Sequence, residues 1–251
     1  MGANLIIGSS HAILAAQAAG EMTATWEEAS QSAIRVKTTS GAETSFLFTT
    51  NRPSFLELSQ ENDRITGKFG PLVETIRAFN RPEDKVVLCI GGNEHNFRFM
   101  RAHPKPFDFH LPGRPCTDPN RQVIPTKEMQ AIVGSLLDRT LTVTAMLAMQ
   151  TPKAKRYYLP PPPPIASEAH LRATPEVFDF TKGVENALVR LKIYHLYLVA
   201  VRAFCEKQGI VYLEPPAANQ DEQGFLLEKY WYYATHASAD YYAGMTAELG
   251  L

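Results

Sequence analysis

Cysteine is scarce in this 251-residue chain, which holds only Cys89, Cys116 and Cys205. An odd number at wide spacings excludes a disulfide framework and the standard zinc patterns, so a reducing cytoplasm is the expected compartment. Excess charge is missing too. With 25 Lys and Arg against 26 Asp and Glu, the formal net charge is −1, and bulk electrostatics give no case for a nucleic-acid partner. No uninterrupted apolar run approaches bilayer-spanning length, so no membrane insertion is expected. The N-terminus shows no charged n-region followed by an apolar stretch and a cleavage site, and no secretory signal is read there. Met1-Gly2 opens like a myristoylation signal, but Ile6 stands where Ser or Thr is needed. Neither an internal repeat nor a linker-like stretch is visible. One domain over residues 1–251 is expected.

What is present alternates between strand-like and helix-like segments. Asn4-Leu5-Ile6-Ile7 is apolar and partly β-branched and stops at Gly8, and an alanine-rich helix former runs from Ala12 to Ala19. Further strands are read at 34–39, 85–90, 155–159 and 210–213, with another short one at 45–50. Helices are expected at 71–79, 126–149 and 181–207, and in a last segment holding Tyr230–Tyr233 and Thr235–Tyr242. Asn51-Arg52-Pro53 and Ser59–Asp63 read as loops. Lys85–Ile90 is apolar without alternation, as in a parallel sheet covered on both faces. The expected fold is therefore α/β: a single three-layer domain around a five-stranded parallel sheet, its strands at 4–7, 34–39, 85–90, 155–159 and 210–213. The stretch from Phe97 to Pro125 is rich in Pro, Phe, His and Arg and has no period, so it reads as a packed insertion, a possible lid. Pro160 to Pro164 reads as a stiff connector that ends a strand, with a partner-docking polyproline ligand as the other reading.

In such a sheet the residues just after the strands gather along one edge, where open α/β sheets bind ligands. Ser10, Asn93 and His236 fall there together. A Ser nucleophile needs a base of near-neutral pKa within hydrogen-bond reach, and an amide can stabilise the oxyanion that forms. Ser9 or Ser10 could instead simply cap the helix, and Asn93 beside glycines could be a turn residue.

Three blocks then resemble a known family. Ile7-Gly8-Ser9-Ser10-His11-Ala12 is similar to the Gly-Asp-Ser block of the SGNH (GDSL-like) hydrolases, Ile90-Gly91-Gly92-Asn93-Glu94 to their Gly-x-Asn-Asp block, and Thr235-His236-Ala237-Ser238 to the terminal His block. The resemblance implies a flavodoxin-like SGNH arrangement and a serine esterase or acyl (acetyl) transferase without cofactor or metal. The substrate would be a small-molecule ester or acylated sugar. It implies Ser10 as nucleophile, His236 as base, and Ser10 and Asn93 as oxyanion donors, with Gly67 preferred over Gly70 as a further one. His11, Glu94, His95 and Arg98 are candidates for substrate contact.

The departures are Ser9 for Asp, Glu94 for Asp, and Tyr233 three residues before the His, where the motif carries its acid. Losing such an orienter costs about 10⁴-fold in one triad enzyme. Asp221, Glu228 and Asp240 are near in sequence, and a backbone carbonyl is the first choice for the atom bonded to His236 Nδ1. Two other classes stay open: a catalytically degenerate binding protein on this fold, and a metal site formed by His11, His95 and His236. The oligomeric state is not legible.

Overall fold

The computed structural model describes residues 2–19, 34–37, 43–48, 56–61, 64–116, 118–174 and 178–251. Its centre is strand β1 (Asn4–Gly8), followed at once by helix α1 (Ser10–Ala19). In chain order come β2 (Ile34–Lys37), β3 (Glu43–Phe48), β4 (Leu56–Glu61), β5 (Arg64–Phe69), α2 (Val73–Arg77), β6 (Lys85–Cys89) and α3 (Glu94–Phe99). Next are β7 (Phe107–Asp108), β8 (Gln122–Val123), α4 (Thr126–Ala148), β9 (Lys155–Tyr158), α5 (Glu168–Ala173) and α6 (Ala187–Gln208). The chain closes with β10 (Val211–Tyr212), β11 (Trp231–Tyr233), β12 (His236–Ala237) and α7 (Ala239–Glu248).

The main sheet runs β10-β9-β6-β1-β3-β2. Five of these strands are parallel, and β2 lies antiparallel at the edge against β3. Numbered among themselves, the parallel strands stand in the order 2-1-3-4-5, the flavodoxin-like arrangement, whose switch point lies between the first and third of them. Those two strands are β1 and β6. Here the structure corrects the reading of the sheet: the segment at 34–37 is the antiparallel edge, and the second parallel strand is β3, the 45–50 segment. Residues 38–39, 49–50 and 51–53 lie outside the described set, as do 62–63 of the expected loop. Ser59, Gln60 and Glu61 are strand, paired to β5 in a separate hairpin.

Period-two alternation of the central strands builds the three layers. Leu5, Ile7, Val86 and Leu88 face one core with Val133, Leu137, Leu191 and Tyr197 of α4 and α6. Ile6, Val87 and Cys89 face the other, with Ala12, Ala15 and Ala16 of α1 and Tyr241, Tyr242 and Met245 of α7. The alanines serve close approach, and Gly8 serves it further. A Cβ at Gly8 would stand 2.2 Å from the Cys89 carbonyl oxygen and 2.7 Å from Ala12 Cβ, well inside contact distance, so the strand-to-helix turn requires glycine there.

Helix α4 is long and apolar enough to cross a membrane by length and composition, with a mean hydropathy of 1.3 over its 18-residue window. Lys127, Glu128, Asp138 and Arg139 interrupt it. Its Met129, Val133 and Leu137, spaced four apart, are nonetheless buried in the core beside α6.

The described part of the 97–125 insertion is packed down on α6. Phe99, Phe107 and Phe109 are buried, the buried Lys192 of α6 pairs with Asp108 and donates to the Phe109 carbonyl at 2.8 Å, and Arg121 pairs with Glu185 at 2.7 Å. All five prolines from Pro160 to Pro164 are buried. Their carbonyls accept from Tyr194 Oη (2.9 Å, at Pro161) and the Leu226 amide (3.1 Å, at Pro164). A buried segment presents no polyproline ligand to a partner, so the connector reading holds and the docking reading falls.

Candidate active site

Parallel register places the ends of β1 and β6 side by side, Gly8 opposite Cys89, and the Ser9 amide donates to the Cys89 carbonyl at 3.3 Å. Ser10 therefore opens α1 at the sheet's switch point. Its amide belongs to the first helical turn, whose N–H groups have no intrahelical acceptor. The base arrives from the other end of the chain. Of the segment expected to be helical at Tyr230–Tyr233, Tyr230 ends a 3-10 turn and Trp231–Tyr233 is strand β11, which turns through Ala234-Thr235 into β12 with Tyr233 opposite His236. Packing of α7 on α1 brings this hairpin over Ser10. His236 Nε2 lies 2.6 Å from Ser10 Oγ.

The other face of the base is what the sequence missed. His236 Nδ1 is 3.0 Å from Thr235 Oγ1, neither a backbone carbonyl nor a carboxylate. The Asp221 carboxylate instead accepts from the amides of Gln223 and Phe225, both at 2.9 Å, and neither Glu228 nor Asp240 bonds the imidazole. Tyr233 stands edge-on to the His236 ring, centroids 6.3 Å apart. With Nε2 accepting from Ser10, Nδ1 carries the proton and donates to the Thr235 hydroxyl. A neutral oxygen orients the ring but stabilises an imidazolium far less than a carboxylate, and burial pushes the His236 pKa down to about 4.

His11 is a correction. Expected at the substrate, it is 1% exposed and stacks on His236 with centroids 4.6 Å apart and 28° between planes. Its Nδ1 is 3.0 Å from Tyr242 Oη of α7. Burial first, then the neighbouring His236 and His95, hold it well below the usual histidine pKa, so it stays neutral beside the base. Gly92 makes room for the ring: at φ +106°, a Cβ there would lie 2.9 Å from His11 Cδ2.

Asn93 follows β6 at the head of α3. Its Oδ1 accepts from Asn96 Nδ2 at 3.2 Å, which leaves the Asn93 amide hydrogens as the free donors, and Asn96 shares a small hollow with Thr235 and His236. Glu94 is not a substrate contact. Its carboxylate accepts from the Gly92 amide at 2.9 Å and from the Thr140 hydroxyl, bracing the Gly91-Gly92 turn. His95 is buried against Tyr194 and Tyr197, and burial lowers its pKa to about 3. Arg98 is exposed in the last turn of α3. Gly67 lies mid-strand in β5, where a Cβ would meet Met146 Cε at 2.4 Å and Leu56 Cδ1 at 3.0 Å. Its missing side chain serves the packing of the hairpin under α4, away from Ser10. Among the described residues no group of three His, Cys, Asp or Glu could hold a metal, and the stacked rings of His11 and His236 do not converge on a common point.

A cavity of about 260 Å³ opens beside Ser10 and His236, walled by Ile13, Leu14, Phe178, Tyr232 and Tyr233. No residue of the 97–125 insertion and no Asp, Glu, Lys or Arg lines it among the described residues.

Fold and site together define a three-layer α/β protein with a Ser–His pair at the switch point of a parallel sheet. The structure is similar to that of an extracellular lipase from Streptomyces rimosus, at 10% identity over 99% of each chain and a TM-score of 0.46. It is similar also to phospholipase A1 from Streptomyces albidoflavus NA297, at 11% identity over 98% of each chain and a TM-score of 0.47. No protein-family model and no curated protein matches the chain.

Proposed function

We propose that the protein is an SGNH-type serine ester hydrolase working through a Ser10–His236 dyad. The observation that carries this reading is the 2.6 Å contact between Ser10 Oγ and His236 Nε2 at the head of α1. His236 takes the hydroxyl proton as Ser10 Oγ bonds to the ester carbonyl carbon. The oxyanion that forms is stabilised by the Ser10 amide at the helix N-terminus and by the Asn93 side-chain amide. The carbon–oxygen bond to the alcohol breaks, and the proton passes from His236 to the departing alcohol. A water deprotonated by His236 then releases the acid and restores Ser10. An alcohol in place of that water would make the same site an acyl transferase.

The degenerate binding protein remains the second reading, favoured by one observation: Thr235 stands where a carboxylate would steady the imidazolium. If the dyad turns over, Thr235→Val keeps the side-chain shape and removes the hydroxyl. It should lower kcat about tenfold with little change in KM, the rate equivalent of one neutral hydrogen bond. Steady-state kinetics on p-nitrophenyl butyrate checks this.

The pH profile separates the two readings. A general base works only when neutral, which for His236 means above its lowered pKa of about 4. Hydrolysis of p-nitrophenyl butyrate should therefore hold from neutrality down to about pH 5 and fall away through pH 4, not through the 6.5 of an ordinary histidine. Neutral buried His11 and His95 also make acid costly to the fold, so the fraction folded is followed by circular dichroism at each pH. An acid limb near 6.5 contradicts the buried dyad, and no hydrolysis at any pH leaves the binding protein.

A further inference from the structure

The cavity beside Ser10 runs along a single helix face. Ser10, Ile13, Leu14 and Gln17 are spaced i, i+3, i+4 and i+7, and all four line it. Ile13 and Leu14 are buried at its wall, 5% and 7% exposed, whereas Gln17 is exposed, about 10 Å along the helix from Ser10. The opposite wall is aromatic. Phe178 is buried, and Tyr232 and Tyr233 form a half-open rim. An anion needs a cation, and the described walls supply none; beyond Ser10, Thr235 and His236 their hydrogen-bonding side chains are Gln17, Thr174, Tyr232 and Tyr233, beside the apolar Ile13, Leu14 and Phe178. The residues that could have served a sugar, Glu94, His95 and Arg98, are engaged or placed elsewhere.

We infer that this cavity is the acyl site of the enzyme and that the substrate is an uncharged ester carrying a linear apolar acyl chain. The inference rests on the Ser10–His236 reading. It commits to the acyl side because Ser10 Oγ is the atom that takes up the acyl carbon, and the turns of α1 that follow form the wall. The cavity, about 260 Å³, follows the buried Ile13 and Leu14 to Gln17, a wall along which such a chain lies.

The test uses p-nitrophenyl esters from acetate to dodecanoate, which keep one leaving group, with wild type, Leu14→Trp and Phe178→Ala. In wild type, kcat/KM should climb by about fourfold per added methylene, the worth of burying one, and level off once the chain fills the cavity. Leu14→Trp should move that plateau to a shorter ester. Phe178→Ala should carry it to a longer one, and serves alone if the Trp variant does not fold. A profile that is flat or falls from the acetate overturns the acyl site and leaves the dyad standing. So does an octanoate-to-acetate ratio that neither folded variant moves. Calorimetry on Ser10→Ala with octan-2-one and butan-2-one tests the cavity without turnover. Binding of the longer ketone at least tenfold tighter supports the site even if no ester is hydrolysed, and equal binding overturns it.

Discussion

Ser10→Ala is expected to lower kcat on p-nitrophenyl butyrate by on the order of 10³–10⁴-fold and to leave the fold intact. The hydroxyl is the atom His236 Nε2 touches, and no other serine and no cysteine lines the described cavity. The loss should be smaller than the roughly 10⁶-fold seen when a full triad loses its serine, because a dyad steadied by a neutral hydroxyl starts from a lower rate. Residues that act as a unit are not additive, so His236→Ala should cost about as much as Ser10→Ala, and the double variant little more than either. Alanine favours the first helical turn at least as well as serine, and Ser9, not Ser10, precedes the helix. Melting temperature should move little. A Ser10→Ala protein that hydrolyses the ester at the wild-type rate removes Ser10 from the chemistry.

The second large effect belongs to the oxyanion. Asn93→Ala should reduce kcat by about 10²–10³-fold, the range for one lost donor of this kind. KM should change much less, because the amide meets the developing charge and not the ground-state carbonyl. Asn96→Ala supplies the internal control. It removes the group that donates to the Asn93 oxygen, and its effect should be in the same direction and smaller. A variant at Asn93 that raises KM and spares kcat would make that residue a substrate holder only.

Much of this architecture could be read from the sequence. The unbroken apolar run Val86–Ile90 and the Gly8 stop fixed the central strands, and the residues following them, Ser10 and Asn93, marked the edge where chemistry collects. The edge strand was the hard part. Segments 34–37 and 43–48 both have the composition of strands, and only pairing shows that the first runs antiparallel. The support of the base was harder still, because it is made of contacts the chain order hides. Tyr242 meets His11 across 231 positions, and His236 meets Ser10 across 226.

Motif logic pointed three residues upstream of His236 for its partner. That offset suits a helix, but the hairpin of β11 and β12 makes the adjacent Thr235 the neighbour of Nδ1. The substrate candidates went astray for a similar reason. Glu94, His95 and Arg98 were chosen for charge near a motif, whereas the helix period of α1 itself places Ile13, Leu14 and Gln17 on the face of Ser10.

Reaction with a fluorophosphonate, followed by peptide mapping of the adduct, tests the central claim most directly. The reagent bonds covalently only to a serine whose proton a neighbouring base removes. One adduct per chain on Ser10 is the result expected, lost in Ser10→Ala and strongly slowed in His236→Ala. A folded protein that takes no label, or takes it elsewhere than Ser10, contradicts the account.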